Sequence, residues 1–224
     1  MTFEFSQHEK LVLDIVQDYL SHNKYFNMVK IIPFIRSNLK TVSVDLNARA
    51  VEKILGLLVK KKYIVEGTNL TQLDILKNSK RNQIYSFILK NPGAYINKIV
   101  RLLNISKPVV VWHINMLLRF DFIRKEEIEN HEIYFDSKLT SGASKFSYVT
   151  SKDRSKKIID YLKENNFGVA KTRISLDLVI HHDTITKYLE MLEDLDIIYK
   201  KKINKQILYF LNEDLTENLH LKAQ

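Results

Sequence analysis

The sequence predicts a mostly α fold with small β wings, arranged as three tandem copies of one unit. Three observations predict it. Apolar residues recur at helical spacing through most of the chain. Short runs of β-branched and aromatic residues follow the helices and are parted by polar turns. The whole pattern then repeats. At an offset of 75, Val110, Ile114, Leu117, Phe120 and Ile123 meet Ile185, Leu189, Leu192, Leu195 and Ile198, and Ile133-Tyr134-Phe135 meets Leu208-Tyr209-Phe210. At an offset of 59, Leu46, Val51, Leu55, Leu58 and Ile64 meet Ile105, Val110, Ile114, Leu117 and Ile123, a weaker match.

In the middle copy an amphipathic helix over Arg81 to Lys90 comes first. Asn91-Pro92-Gly93 breaks it, as Asn165 to Gly168 does in the last copy. A second short helix runs through Ile96, Ile99, Val100 and Leu103. Ser106-Lys107-Pro108 then introduces a third helix, as His182-Asp183-Thr184 does in the last copy. Pro108 suits the first helical turn, where its missing N–H leaves no bond unmade. Two β-rich runs close each copy: Phe122 to Lys125 and Glu132 to Phe135, then Ile197 to Lys201 and Gln206 to Leu211.

Helix, helix, helix, hairpin is the order of a winged helix, with the third helix as candidate reader and the hairpin as wing. In the first copy Tyr63 to Gly67 passes straight into Leu73 to Leu76, so its wing is truncated or borrowed. Three tandem winged-helix domains are expected: residues 1–74 with a degenerate wing, 75–140 and 151–224. Residues 141–150, which include Ser141-Gly142-Ala143-Ser144, are expected to be a linker.

Composition narrows the function. Cys is absent, which excludes disulfides, thiolate zinc sites and a Cys nucleophile. No apolar run approaches the ~20 residues that cross a bilayer, and Met1 to Lys10 has no signal-peptide core. A cytoplasmic home is expected. Net charge is +9, and its distribution is uneven. Residues 76–148 hold 12 Lys and Arg against 6 Asp and Glu, while the flanking thirds are close to balance. A polyanionic partner is favoured.

The stretch from Arg81-Asn82-Gln83-Ile84-Tyr85 through Asn91-Pro92-Gly93 to Val111-Trp112-His113-Ile114 resembles archaeal multi-module winged helix-turn-helix transcription regulators of the ArsR and MarR type. Their pattern has an Arg-rich start to the first helix, a Pro-Gly turn, and a third helix ending in Leu-x-x-x-Gly-x-Ile. Here Lys62, Asp121 and Asp196 stand at the Gly position. The resemblance implies sequence-directed binding of double-stranded DNA and transcriptional control. His113 stands where the family often has His.

Candidate DNA contacts follow from residue type. Lys107, Val111, Trp112, Asn115 and Arg119 project from the apolar seam of the middle third helix. Asn pairs with adenine, Lys reaches guanine or phosphate, and Val touches a thymine methyl. The same apolar outer face suits a protein partner equally. In the last copy Thr184, Thr186 and Lys187 suit groove edges and phosphates. Glu190, Glu193 and Asp194 on the same helix oppose a phosphate backbone. Lys200, Lys201, Lys202 and Lys205 form a basic wing, for phosphates or simply as protection of a strand edge. The middle wing is acidic, with Glu126, Glu127, Glu129 and Glu132. Arg49 and Lys53 face outward with Glu52 between them, and Lys60 to Lys62 close the helix, where cations favour its negative end, so a structural role suffices.

No Gly-rich phosphate loop, H-E-x-x-H or G-x-S-x-G occurs, so an enzyme is not expected, and neither is a cofactor or metal. His181-His182-Asp183 reads as a solvated helix start. The alternative to a DNA-binding regulator is a winged-helix adaptor for proteins, of the kind found in ESCRT-II or bound to RNA polymerase. A homodimer is expected from the surplus apolar face of Leu11, Val12, Ile15, Val16, Tyr19 and Leu20.

Overall fold

The computed structural model describes residues 5–23, 25–128 and 131–212. The chain divides into two compact units, Met1–Lys138 and Leu139–Gln224. Both are mostly helical with small antiparallel sheets.

The first unit opens with α1 (Gln7–His22), α2 (Met28–Thr41) and α3 (Ala48–Lys60). Short polar side chains start each helix. Ser6 accepts from the Glu9 amide while the Glu9 carboxylate accepts from the Ser6 amide, a reciprocal capping box. Asn27 and Asn47 accept from the Lys30 and Ala50 amides. Apolar residues at helical spacing then close a core of Val12, Val16, Ile31, Ile35, Val51, Leu55 and Leu58. Leu11, Ile15 and Tyr19 pack against that same core. The apolar face expected to meet a partner copy therefore also packs within the unit, while Leu11, Ile15 and Tyr19 stay partly exposed.

A turn follows in place of a wing. Ile64 bridges Thr71, and Phe26 exchanges backbone bonds with Gly67 and Thr68. The segment serves two cores: Ile64 belongs to the first, while Val65, Leu70 and Ile75 pack into a second. It continues as the one-turn α4 (Gln72–Ile75), where the Gln72 side chain donates from Nε2 to the Phe120 carbonyl at 3.2 Å.

The second core is built by α5 (Ser79–Lys90), α6 (Ile96–Leu103), α7 (Lys107–Arg119) and the hairpin of β1 (Ile123–Ile128) and β2 (His131–Asp136). Ile123 pairs with Asp136 at one end of the ladder and Ile128 with His131 at the other. Ala94, between α5 and α6, bridges Tyr134.

The second unit runs α8 (Ser141–Ser151), α9 (Asp153–Glu164), β3 (Val169–Ala170), α10 (Lys171–Asp177), α11 (His182–Glu193), β4 (Ile198–Ile203) and β5 (Gln206–Leu211). Its sheet order is β3-β5-β4. The β4–β5 turn, Asn204 and Lys205, has both residues at positive φ, the two-residue hairpin geometry that matches strand twist. Residues 141–150, expected as a linker, are instead helical. Thr140 caps α8 by accepting from the Ala143 amide, Val149 is fully buried, and Phe146 and Tyr148 pack on the unit's core. Small residues disguised a helix whose apolar side chains are needed by α9.

The repeat is also written in the backbone. Ser43, Asn104 and Val179, each just before a third helix, have φ of 57°, 52° and 54°. Lys62, Asp121 and Asp196, each just after one, have φ of 59°, 58° and 56°. The second set occupies the position where the resembling family has Gly. Each copy therefore holds its third helix between two left-handed corners.

Candidate nucleic-acid interface

The three third helices can be compared position by position. On α7 the residues Val110, Ile114 and Leu117 are fully buried, and His113 is buried beside them. The opposite stripe carries Trp112, Asn115 and Arg119, all exposed, with Lys107 exposed and Val111 half-buried at its edge. These five side chains share one helix face, as 3.6 residues per turn requires.

Trp112 is 54% exposed, yet it is not idle. Its ring lies 5.3 Å from the guanidinium of Arg81, which is only 2% exposed, and meets the His113 ring edge-on at 4.8 Å. Arg81 donates from Nη1 to the Ile75 carbonyl at 2.9 Å, while its Nε is buried without a partner. His113 Nδ1 is likewise buried without a partner. Burial lowers the pKa of both groups, and the charges of Arg81 and Lys80 push that of His113 lower still. His113 is thus a side chain packed into the unit. Arg119 donates to the Glu66 carbonyl at 3.0 Å, so part of its guanidinium ties α7 to the wingless turn.

On α11 the positions matching Trp112, Asn115 and Arg119 are Lys187, Glu190 and Asp194, all exposed. Thr184 and Thr186 are half-buried. The Thr186 hydroxyl donates to the His182 carbonyl at 3.0 Å and accepts from Lys171 at 3.2 Å. His181 caps the helix by accepting from the Asp183 amide. Lys145 lies 3.7 Å from Asp194.

The wing lysines do not form one cluster. Lys200, Lys201, Lys202 and Lys205 are all exposed, but strand alternation puts Lys201 on one face of the hairpin and Lys200 and Lys202 on the other. Lys205 stands at the tip. Lys200 pairs with Glu193 at 2.9 Å, which raises its pKa. The hairpin of the first unit is internally paired instead. Arg124 bonds Glu126, and Lys125 lies 2.6 Å from Glu132, holding the Glu132 carboxyl below its ordinary value.

The corresponding stripe of α3 is the one that sequence reasoning set aside. Lys53, Gly56 and Lys60 match Trp112, Asn115 and Arg119, and Arg49 precedes them one turn earlier. Arg49, Lys53 and Lys60 are exposed, and at Gly56 the nearest atom to an added Cβ would be Met28 Cε at 4.0 Å. The offset of 59 aligns these positions, but cations at a helix end have a sufficient structural explanation, so residue type alone does not single them out.

No known family model matches the chain. Over 178 residues, 78% of its length, the chain is 28% identical to an uncharacterized HTH-type transcriptional regulator of Methanocaldococcus jannaschii. The match covers 44% of that protein, so the chain spans a little under half the length of this relative. No helix among the described residues is long and apolar enough to cross a membrane.

Proposed function

We propose that the protein is a DNA-binding transcription regulator built from tandem winged helices. The observation that carries this reading is the repeated corner–helix–corner frame, which presents a third helix outward in each copy. The likeness to a regulator named for its helix-turn-helix supports it, as does the net positive charge. In this reading the copies are three winged-helix domains, meeting near residues 74 and 140 and placed in the cytoplasm. Lys107, Val111, Asn115 and Trp112 of α7 meet the major groove, and exposed lysines of α3 and of the last wing neutralise phosphates. Thr184, Thr186 and Lys187 contribute from the start of α11 alone, because Glu190 and Asp194 repel a backbone lying farther along. No catalytic step is part of this reading.

A protein-adaptor reading is favoured by one observation, the acidic outward stripe of α11. A salt titration of binding to random duplex DNA separates the two. Counterion release makes log affinity fall with log salt, with a slope of roughly −0.9 per neutralised phosphate. Replacing Lys201, Lys202 and Lys205 by Ala flattens the slope while leaving the fold intact. Trp112→Ala weakens binding on specific and random duplexes if α7 is seated in the groove. A slope near zero for the unaltered protein gives the adaptor reading precedence.

A further inference from the structure

We infer that the outer face of the β4–β5 hairpin is a stacking platform for an unpaired base of single-stranded nucleic acid. Register and alternation place Tyr199, Lys201 and Ile203 of β4 on one face with Leu208 and Phe210 of β5. The opposite face, with Ile198, Tyr209 and Leu211, belongs to the core. Apolar residues on a solvated wing face need a reason, and the ring geometry supplies one.

The reason starts at Gly168. Its φ is +83°, and a Cβ there would overlap the Phe210 ring. The absent side chain lets that ring lie directly on the backbone. Tyr199, the cross-strand partner of Phe210, stacks on it with centroids 5.3 Å apart and planes 11° from parallel. Strand order β3-β5-β4 puts Tyr199 on the edge strand of the described sheet, on the far side of Phe210 from Gly168. The stack therefore grows outward from the backbone and ends in a ring that is 48% exposed. A flat aromatic held parallel on an edge strand is what a base needs in order to continue the stack.

The surroundings fit a nucleotide rather than an apolar side chain. Beside Tyr199 and Phe210 lies an open concavity of about 370 Å³, whose rim includes Lys163, Asn166 and Asn212. Asn side chains offer both donor and acceptor to base edges. Lys163 and Lys201 supply positive charge for the flanking phosphates. This chemistry is separate from groove reading by the third helices, and it stands or falls independently of the duplex reading.

The test uses the full chain and a mixed-sequence DNA strand of about 12 nucleotides, the scale of single-stranded site sizes. A copy of the strand carries the fluorescent base 2-aminopurine. The unaltered protein binds the strand and changes the 2-aminopurine emission. Tyr199→Phe retains both effects. Tyr199→Leu keeps an apolar surface but loses the emission change and weakens binding by roughly fivefold or more, the range measured for one lost stack. Lys163→Gln flattens the salt slope for the single strand. Thermal midpoints measured alongside show that each variant is folded. Equal affinity and emission for Tyr199→Leu and the unaltered protein would overturn the proposal. So would the absence of single-strand binding at any salt, or self-association abolished by Tyr199→Leu, which would make this face a protein contact.

Discussion

Helices α7 and α11 occupy the same frame and present opposite chemistry. Both are seated by a buried seam of three apolar residues, and both lie between left-handed corners. On the outward stripe α7 carries Trp112, Asn115 and Arg119, whereas α11 carries Lys187, Glu190 and Asp194. Their settings differ as well. The first unit joins two cores through the shared segment from Ile64 to Ile75, while the second unit has one core with its own complete three-stranded sheet. A frame fixed by buried residues leaves the outward stripe free to diverge, because exposed positions contribute little to stability. The likeness between these helices therefore lies in the buried frame, and the difference lies in the exposed stripe.

The strongest way to break the comparison is to remove matching core residues. Ile114→Ala and Leu189→Ala each delete a fully or almost fully buried side chain at one repeat position. Each should cost about 2–5 kcal/mol in its own unit and leave the other unit's transition in place. Calorimetry of the two variants checks this, and a single transition that shifts alike in both would join the units into one cooperative body.

A smaller effect is expected at Gly168. Alanine there combines positive φ with a clash against Phe210, so Gly168→Ala should lose roughly 1–3 kcal/mol, read from denaturant midpoints. The loss should be confined to the second unit.

The corners sharpen the comparison in the stabilising direction. Val179 is β-branched, 90% exposed and left-handed, while Asn104 at the matching position suits that conformation. Val179→Gly should gain about 1 kcal/mol, and Asn104→Gly should gain less. Equal responses would show that side-chain type does not matter at this corner.

The last difference is one of pH and is carried by His113 of the first unit. His113 is buried with its folded pKa lowered, so the unfolded chain binds a proton more readily. Stability conferred by neutral His113 is present above the ordinary value of about 6.5 and is lost as pH falls through it toward the folded value. His113→Phe should remove that part of the dependence. Unfolding midpoints between about pH 5 and 7.5 check the sign.

Much of this fold was legible because period and offset are properties of the chain alone. The spacing of Val110, Ile114 and Leu117 gives a helix and its buried side, and the offset of 75 carries the same conclusion to Ile185, Leu189 and Leu192. Pro108, Gly93 and Gly168 marked boundaries for reasons of local sterics. The candidate face of α7 was legible for the same reason, since a helix fixes which side chains oppose a known seam. Tertiary structure decided the rest, because packing partners are remote in sequence. It turned Ser141–Ser151 into a helix by giving Val149 a core to enter, and it packed Leu11, Ile15 and Tyr19 against the core of the first unit. It placed Arg81 beneath Trp112, tied Arg119 to Glu66, and set Tyr199 on Phe210 on an edge strand. No periodicity encodes those contacts, because each depends on where two separate elements meet in space.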